Sequence, residues 1–290
     1  MKVSGFTIVR NAIKYDYPIA EAIQSVLPLC NEFIVAVGKS EDDTLSLIQN
    51  INSPKIKIVE TVWNDALRDG GKVLADETNK AMSAISAETD WCFYIQGDEV
   101  LHEKYLQVVA DAMQEFKDEK SVDGLLFNYL HFYGSYDYVA DSPKWYSKEI
   151  RIVKNNVGVF SWGDAQGFRK GDNEKLCVKQ IDAFIHHYGW VKDPFAQQRK
   201  QENFHKMWHS DDWVDKNVVK ADSFDYSNID SVKFFEGTHP AVIQGRVSAR
   251  SWKFDFDPSK ASMKLRYRIR KWLKEKFGLH IGEYRNYKLV

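Results

Sequence analysis

The chain has 290 residues, a formal net charge of −1, 44% hydrophobic and 28% charged side chains, an ordinary composition with room for one large domain or two modest ones. So even a balance gives no bulk electrostatic case for a nucleic-acid partner. Cys30, Cys92 and Cys177 are far apart and form no CxxC pair, so they read as free thiols in a reducing compartment and exclude a disulfide frame or zinc site. There is no signal-type N-terminal stretch and no run near ~18 apolar residues, so the expected location is cytoplasmic.

In chain order, residues 5–9 predict a first strand ending at Arg10-Asn11. Residues 17–29 carry Ile19, Ala22, Ile23, Val26 and Leu27 at helical spacing, with Pro18 suited to a first turn. Residues 33–37 predict a second strand, 44–51 a short helix capped by Asp42 or Asp43, and 56–59 a third strand. A polar loop at 64–71 leads into a helix over 72–86. Residues 91–95 predict a fourth strand, whose unbroken apolar run suits burial on both faces of a parallel sheet. A helix over 103–116 and a strand at 124–130 follow. Strands and helices alternating in this way imply right-handed crossovers. The expected fold is therefore α/β and Rossmann-like, with a mostly parallel sheet and helices on both faces.

Asp98 and Glu99 fall just past the fourth strand, where open α/β sheets place ligands. Asp98 reads there as a ligand for a divalent metal that in turn holds a diphosphate. The plainer use of an acid at this point is to cap a following helix. Beyond residue 130 the pattern changes. Residues 131–146 are aromatic and turn-rich, and short strands are expected at 149–153, at 157–162 and within 177–188. A helix over 197–208, an irregular stretch and a basic amphipathic helix over 259–277 complete the chain. This predicts a catalytic domain at 1–194 and a C-terminal helical extension at 195–290.

Five segments, in order, resemble the family 2 glycosyltransferases of the GT-A fold in a divergent bacterial-type form. They are residues 5–11, the Ser40-Glu41-Asp42-Asp43-Thr44 turn, Glu77-Thr78-Asn79-Lys80-Ala81, Gln96-Gly97-Asp98-Glu99 and His187-Tyr188-Gly189. The resemblance implies a nucleotide-sugar donor, a divalent metal (Mn²⁺ or Mg²⁺) and transfer with inversion. It further implies a glycan or lipid-linked acceptor in cell-surface polysaccharide synthesis. Such chemistry needs a cation for the leaving diphosphate, a base for the acceptor hydroxyl and fixed alignment of both.

On that footing Asp98 holds the metal and His187 is the second ligand, a structural histidine being the alternative. His186 then points to the opposite face of its strand. Asp164, in a loop with Gly163 and Gly167, is expected as the base, or else as a turn aspartate. Glu99 faces the acceptor or complements a helix N-terminus. Arg10, Asn11, Lys72, Asn79 and Gln96 are expected along the donor, and Gln166 and Arg169 at acceptor or phosphate. Val37 stands where many members carry a base-reading aspartate, and Gln96 replaces the first acid of the Asp-x-Asp motif. These departures motivate a nucleotide-sugar-binding protein without turnover as the alternative. A metal-dependent nucleotidyltransferase shares the layout, but its Gly-rich phosphate loop is missing here. Residues 260–276 set Lys260, Lys264, Arg266, Arg268, Arg270, Lys271, Lys274 and Lys276 against Glu275, with Leu265, Ile269, Trp272 and Leu273 on one face. That face either packs on the catalytic domain or rests on an anionic membrane surface.

Overall fold

The computed structural model describes residues 1–290 apart from Arg68, Val219 and His280 and the side chain of Asp69. Strands β1 (Val3–Val9), β2 (Glu32–Gly38), β3 (Ile56–Thr61) and β4 (Trp91–Tyr94) lie parallel in the order β3-β2-β1-β4. Helices α1 (Ile19–Val26), α2 (Thr44–Gln49) and α3 (Lys72–Ser83) make the crossovers. Next come β5 (Glu99–Leu101), α4 (Leu106–Glu115), β6 (Gly124–Tyr133), β7 (Ser135–Ala140), β8 (Lys148–Lys154), β9 (Val159–Trp162), β10 (Gly167–Lys170) and β11 (Glu174–Trp190). The last part holds α5 (Pro194–Lys206), α6 (Asp211–Asn217), β12 (Val232–Phe234), α7 (Gln244–Ser248), α8 (Leu265–Phe277) and β13 (Tyr287–Leu289).

The sheet continues β4-β8-β6-β11-β10-β9, with β8 antiparallel to both β4 and β6, and β6 parallel to β11. The architecture is α/β and Rossmann-like, but its second half is mixed rather than parallel. The reason is connectivity. β8 returns after the β6–β7 hairpin and inserts between β4 and β6, so it must run against both. The segment beyond residue 194 is woven into the same sheet, because β12 pairs with β7 and β13 with β11.

Side chains alternate through the sheet into two cores. Phe33, Val35 and Val37 of β2 and Trp91 and Phe93 of β4 face one, with α1 and α4. Ile34, Ala36, Cys92 and Tyr94 face the other, with Ala81 of α3. Both faces of β2 and β4 are thus apolar, as parallel central strands require. Each fully buried large side chain contributes about 1.5–3 kcal/mol. Cys30 and Cys92 are free and buried, which pushes both thiols up to about 12 and makes them poor nucleophiles.

The stretch after β4 excludes the plainer, helix-capping use of its two acids. No helix starts at Asp98. A tight turn closes instead, with Glu99 N donating to the Gln96 carbonyl at 3.0 Å. β5 then pairs antiparallel with β11, placing Glu99 opposite His187. The helical segment begins at residue 103, as the sequence predicts, capped by His102. Neither Asp98 nor Glu99 is therefore a helix cap. Among the described residues, no helix is long and apolar enough to cross a membrane.

Candidate active site

A cavity of about 520 Å³ opens at the C-terminal ends of β1 and β4. Arg10, Gln96, Asp98, Asp164, His187 and Lys200 line it, and Trp63, Trp145, Trp190 and Trp208 supply apolar wall. Its size and mix of aromatic wall with a few convergent polar groups suit a small-molecule substrate.

Asp98 sits at its centre. Its carbonyl accepts from Tyr188 N at 2.7 Å, which pins the turn to β11. Its Oδ2 accepts from Lys200 Nζ at 2.9 Å, and its Oδ1 lies 3.7 Å from His187 Nε2. Burial, the largest influence, would raise this carboxyl, but Lys200, His187 and Lys192 together outweigh it and hold Asp98 below the usual carboxylate range. Gly189 makes the approach feasible. A Cβ there would lie 2.7 Å from His187 Nε2 and 2.8 Å from Asp98 Oδ2. The glycine of the His-Tyr-Gly segment is thus explained by space.

A histidine relay sets the protonation of His187. His131 Nε2 lies 2.7 Å from the Tyr146 carbonyl oxygen, so that nitrogen must carry the proton. Burial pushes His131 well below its ordinary value and lowers His187 too, so both rings are neutral at pH 7. His131 Nδ1 then accepts from His187 Nδ1 at 3.1 Å. His187 Nε2 is left with a bare lone pair facing a carboxylate oxygen. Two such donors face to face, with the histidine oriented through its far nitrogen, suit a divalent metal. Among the described residues, no group of three His, Cys, Asp or Glu is placed to hold a metal ion. Asp98 and His187 would therefore supply two ligands, leaving the rest of the shell to water or substrate oxygens.

Glu99 is not at the cavity, contrary to expectation. It is wholly buried, accepting from Arg151 Nε at 2.8 Å, Arg151 Nη2 at 2.7 Å, Tyr129 Oη at 2.7 Å and Gln96 N at 3.1 Å. It meets neither an acceptor nor a helix N-terminus. Its work is to fix the backbone of the turn that presents Asp98.

The other expected residues divide. Arg10 reaches the cavity, stacked 4.4 Å over the Trp63 ring and paired with Asp65 at 3.1 Å. Trp63 in turn packs on Gly38, where a Cβ would lie 2.3 Å from its Nε1. Gln96 also lines the cavity, its Nε2 donating to the Ala165 carbonyl at 3.2 Å. Asp164 is partly buried, which raises its carboxyl, and its Oδ1 accepts from Gln166 N at 3.3 Å. Asn11 does not line the cavity. Its φ of 56° turns the chain, and its Oδ1 accepts from Glu41 N at 2.7 Å, tying β1 to the Ser40 turn. Asn79 is likewise structural, joined through both ends of its amide to the backbone of Ser161. Lys72 is exposed on the first turn of α3 and outside the lining. Arg169 bonds the Phe168 and Asn286 carbonyls, away from the cavity. Val37 faces the core. His186 faces away from the cavity, against His102 and Phe132.

Sequence reasoning missed Lys200, His131 and Arg151. Lys200 lies 102 positions from Asp98 on a helix with no clean apolar period. The one local signal was Arg151, a lone cation inside the apolar run of β8.

No protein-family model and no curated protein matches the sequence. Among solved structures, the chain is similar to S. aureus TarS 1–349 in complex with UDP. Identity is 14% over 77% of this chain and 68% of that one, with a TM-score of 0.41. It is also similar to the Mycobacterium tuberculosis glucosyl-3-phosphoglycerate synthase in complex with Mn²⁺, UDP and phosphoglyceric acid (17% identity, 45% and 43% of the two chains, TM-score 0.30). A third similar structure is the 4-diphosphocytidyl-2C-methyl-D-erythritol synthase of Anaerococcus prevotii (12%, 71% and 94%, TM-score 0.39). The chain spans 39% of a longer TarS chain.

Proposed function

We propose that the protein is a glycosyltransferase that moves a sugar, with inversion, from a nucleotide-diphosphate sugar to a hydroxyl acceptor. The observation that carries this reading is the convergence of Asp98, the bare Nε2 of His187 and the Lys200 ammonium at the strand ends of an aromatic-walled cavity. That is a centre built to hold positive charge beside a substrate. A divalent metal held by Asp98 and His187 would neutralise charge on the leaving diphosphate. Arg10 and Lys200 offer further donors to phosphate oxygens, and the tryptophan wall offers stacking area to sugar or base. Asp164 takes the proton of the attacking hydroxyl. Asp98→Asn should abolish the gain in nucleoside diphosphate affinity that Mn²⁺ gives, while the fold survives. The same Mn²⁺ effect in wild type and variant would sink the assignment.

The acceptor, on this reading, is a glycan or lipid-linked saccharide of a cell-surface polymer. α8 supports a membrane-side setting. Much of its apolar face is open: Leu265, Ile269 and Trp272 are 70%, 50% and 52% exposed beside a row of lysines and arginines, while Leu273 is half-buried. An apolar stripe flanked by cations suits an anionic lipid surface. Pelleting with phosphatidylglycerol vesicles tests it, and failure to pellet would remove the membrane from the account. One observation favours a second reading, a nucleotide-sugar-binding protein without turnover. Gln96 stands in the place of an acid and brings no charge. Transfer or hydrolysis of any nucleotide sugar would dispose of it.

A further inference from the structure

α5 brings a cation of the chain's own to the carboxylate that would serve a metal. Lys200 Nζ lies 2.9 Å from Asp98 Oδ2 and 2.9 Å from the Gly189 carbonyl oxygen, and its side chain is 10% exposed. Lys192, wholly buried, stands close behind. The two ammonium groups lie 4.9 and 5.0 Å from the centre of the same Tyr17 ring. Lys192 is held by the Asp16 carbonyl. Asp98 is thus the carboxylate that answers Lys200, and a divalent ion set between Asp98 Oδ1 and His187 Nε2 would crowd another two positive charges onto it. At this range that repulsion opposes the ion. A diphosphate removes the conflict, because its several negative charges can take the ammonium as well as the metal. The long, flexible lysine stem allows the ammonium to re-aim without a backbone shift.

Resting on the donor reading above, we propose that Lys200 is a resident competitor of the metal. Before donor arrives it occupies Asp98 and keeps divalent ions weakly bound. When a diphosphate enters, the ammonium passes to a phosphate oxygen and Asp98 is released, so metal and diphosphate load together. This coupling is thermodynamic and therefore reciprocal. It also gives Gly189 a second use, since its carbonyl is the fixed hydrogen-bond partner that holds Lys200 in the waiting position.

The test uses the full chain, Mn²⁺ alone and inorganic pyrophosphate alone, the latter in EDTA. Lys200→Gln should bind Mn²⁺ at least tenfold more tightly than wild type, and pyrophosphate at least tenfold more weakly. Lys200→Arg, which keeps the charge, should stay within threefold of wild type in both titrations. Adding Asp98→Asn to Lys200→Gln should remove the gained Mn²⁺ affinity, which places it at Asp98. Unchanged or weaker Mn²⁺ binding in a folded Lys200→Gln protein overturns the proposal. If that variant nevertheless loses pyrophosphate affinity, only the competition is refuted and the donor reading stands. If neither protein binds pyrophosphate or Mn²⁺, the donor reading falls with it.

Discussion

Glu99→Gln isolates the scaffold from the chemistry. Glu99 and Arg151 are both fully buried and form a bidentate pair at 2.7 and 2.8 Å. Burial works against the Arg151 charge, and Glu99 outweighs it, holding the guanidinium protonated. Replacing the carboxylate by an amide leaves that guanidinium buried without a counter-charge, a change that costs about 3–5 kcal/mol. For a chain somewhat longer than ~250 residues, a few °C per kcal/mol implies a fall in melting temperature on the order of 10 °C. Pairing it with Arg151→Met should recover much of the loss, because removing both partners leaves no orphaned charge. Asp98→Asn, one residue away, should lose far less, since Lys200 keeps the Gly189 carbonyl and borders the cavity. Calorimetry on the four proteins reads this directly. A Glu99→Gln melt within about 2 °C of wild type, or an equal loss in Asp98→Asn, would refute the division of labour between these neighbours.

Three more outcomes follow from the geometry. Gly189→Ala should weaken pyrophosphate and Mn²⁺ binding at once, because its Cβ would meet His187 Cε1 at 2.6 Å and Asp98 Oδ2 at 2.8 Å; overpacking of this kind costs about 1–3 kcal/mol. Asp164→Asn should cut turnover by about 10²–10⁴ with donor affinity retained. As burial raises the Asp164 carboxyl, wild-type activity should rise with pH through a midpoint above the ordinary aspartate value, and that limb should vanish in the variant. Glu149 is a stability prediction. Burial raises its carboxyl to about 8 from 4.5, so across that window the folded state holds a proton the unfolded state has released. Stability should therefore fall as pH rises from 4.5 to 8, by up to about 1.4 kcal/mol per pH unit. Glu149→Gln, which keeps the neutral shape, should flatten the slope in urea melts.

The parts of this account that were legible in the sequence are those set by local periodicity. The apolar run before Gln96 marked β4, and the break after it put Asp98 at a strand end. Alternation along the strand through 186 and 187 separated the two histidines. What stayed hidden depends on partners far away in the chain. Asp98 and Glu99 look alike in sequence, and only the pairing of β5 with β11 turns one into the core and leaves the other at the cavity. Asn79 sits in a suggestive segment, yet the Ser161 backbone that claims it is 82 residues on. Three-residue strands such as β13 carry too little pattern to be seen, so the pairing of the segment beyond residue 194 with the sheet was not legible. Lys200 gave no sign at all, because a lysine on a polar helix is ordinarily a solvated one.

The central claim is that the Asp98 cavity receives a nucleotide-diphosphate sugar. It is tested most directly by thermal shift on the full chain against nucleoside diphosphates and nucleotide sugars, each with Mn²⁺ and with EDTA. A ligand that binds only the folded state at 100 times its Kd stabilises by about 2.7 kcal/mol, a shift of several °C. The account predicts that at least one nucleotide sugar with Mn²⁺ produces that shift in wild type and that Asp98→Asn abolishes the part of it that Mn²⁺ adds over EDTA. No shift with any nucleotide, or a Mn²⁺-dependent gain that Asp98→Asn leaves intact, would contradict it.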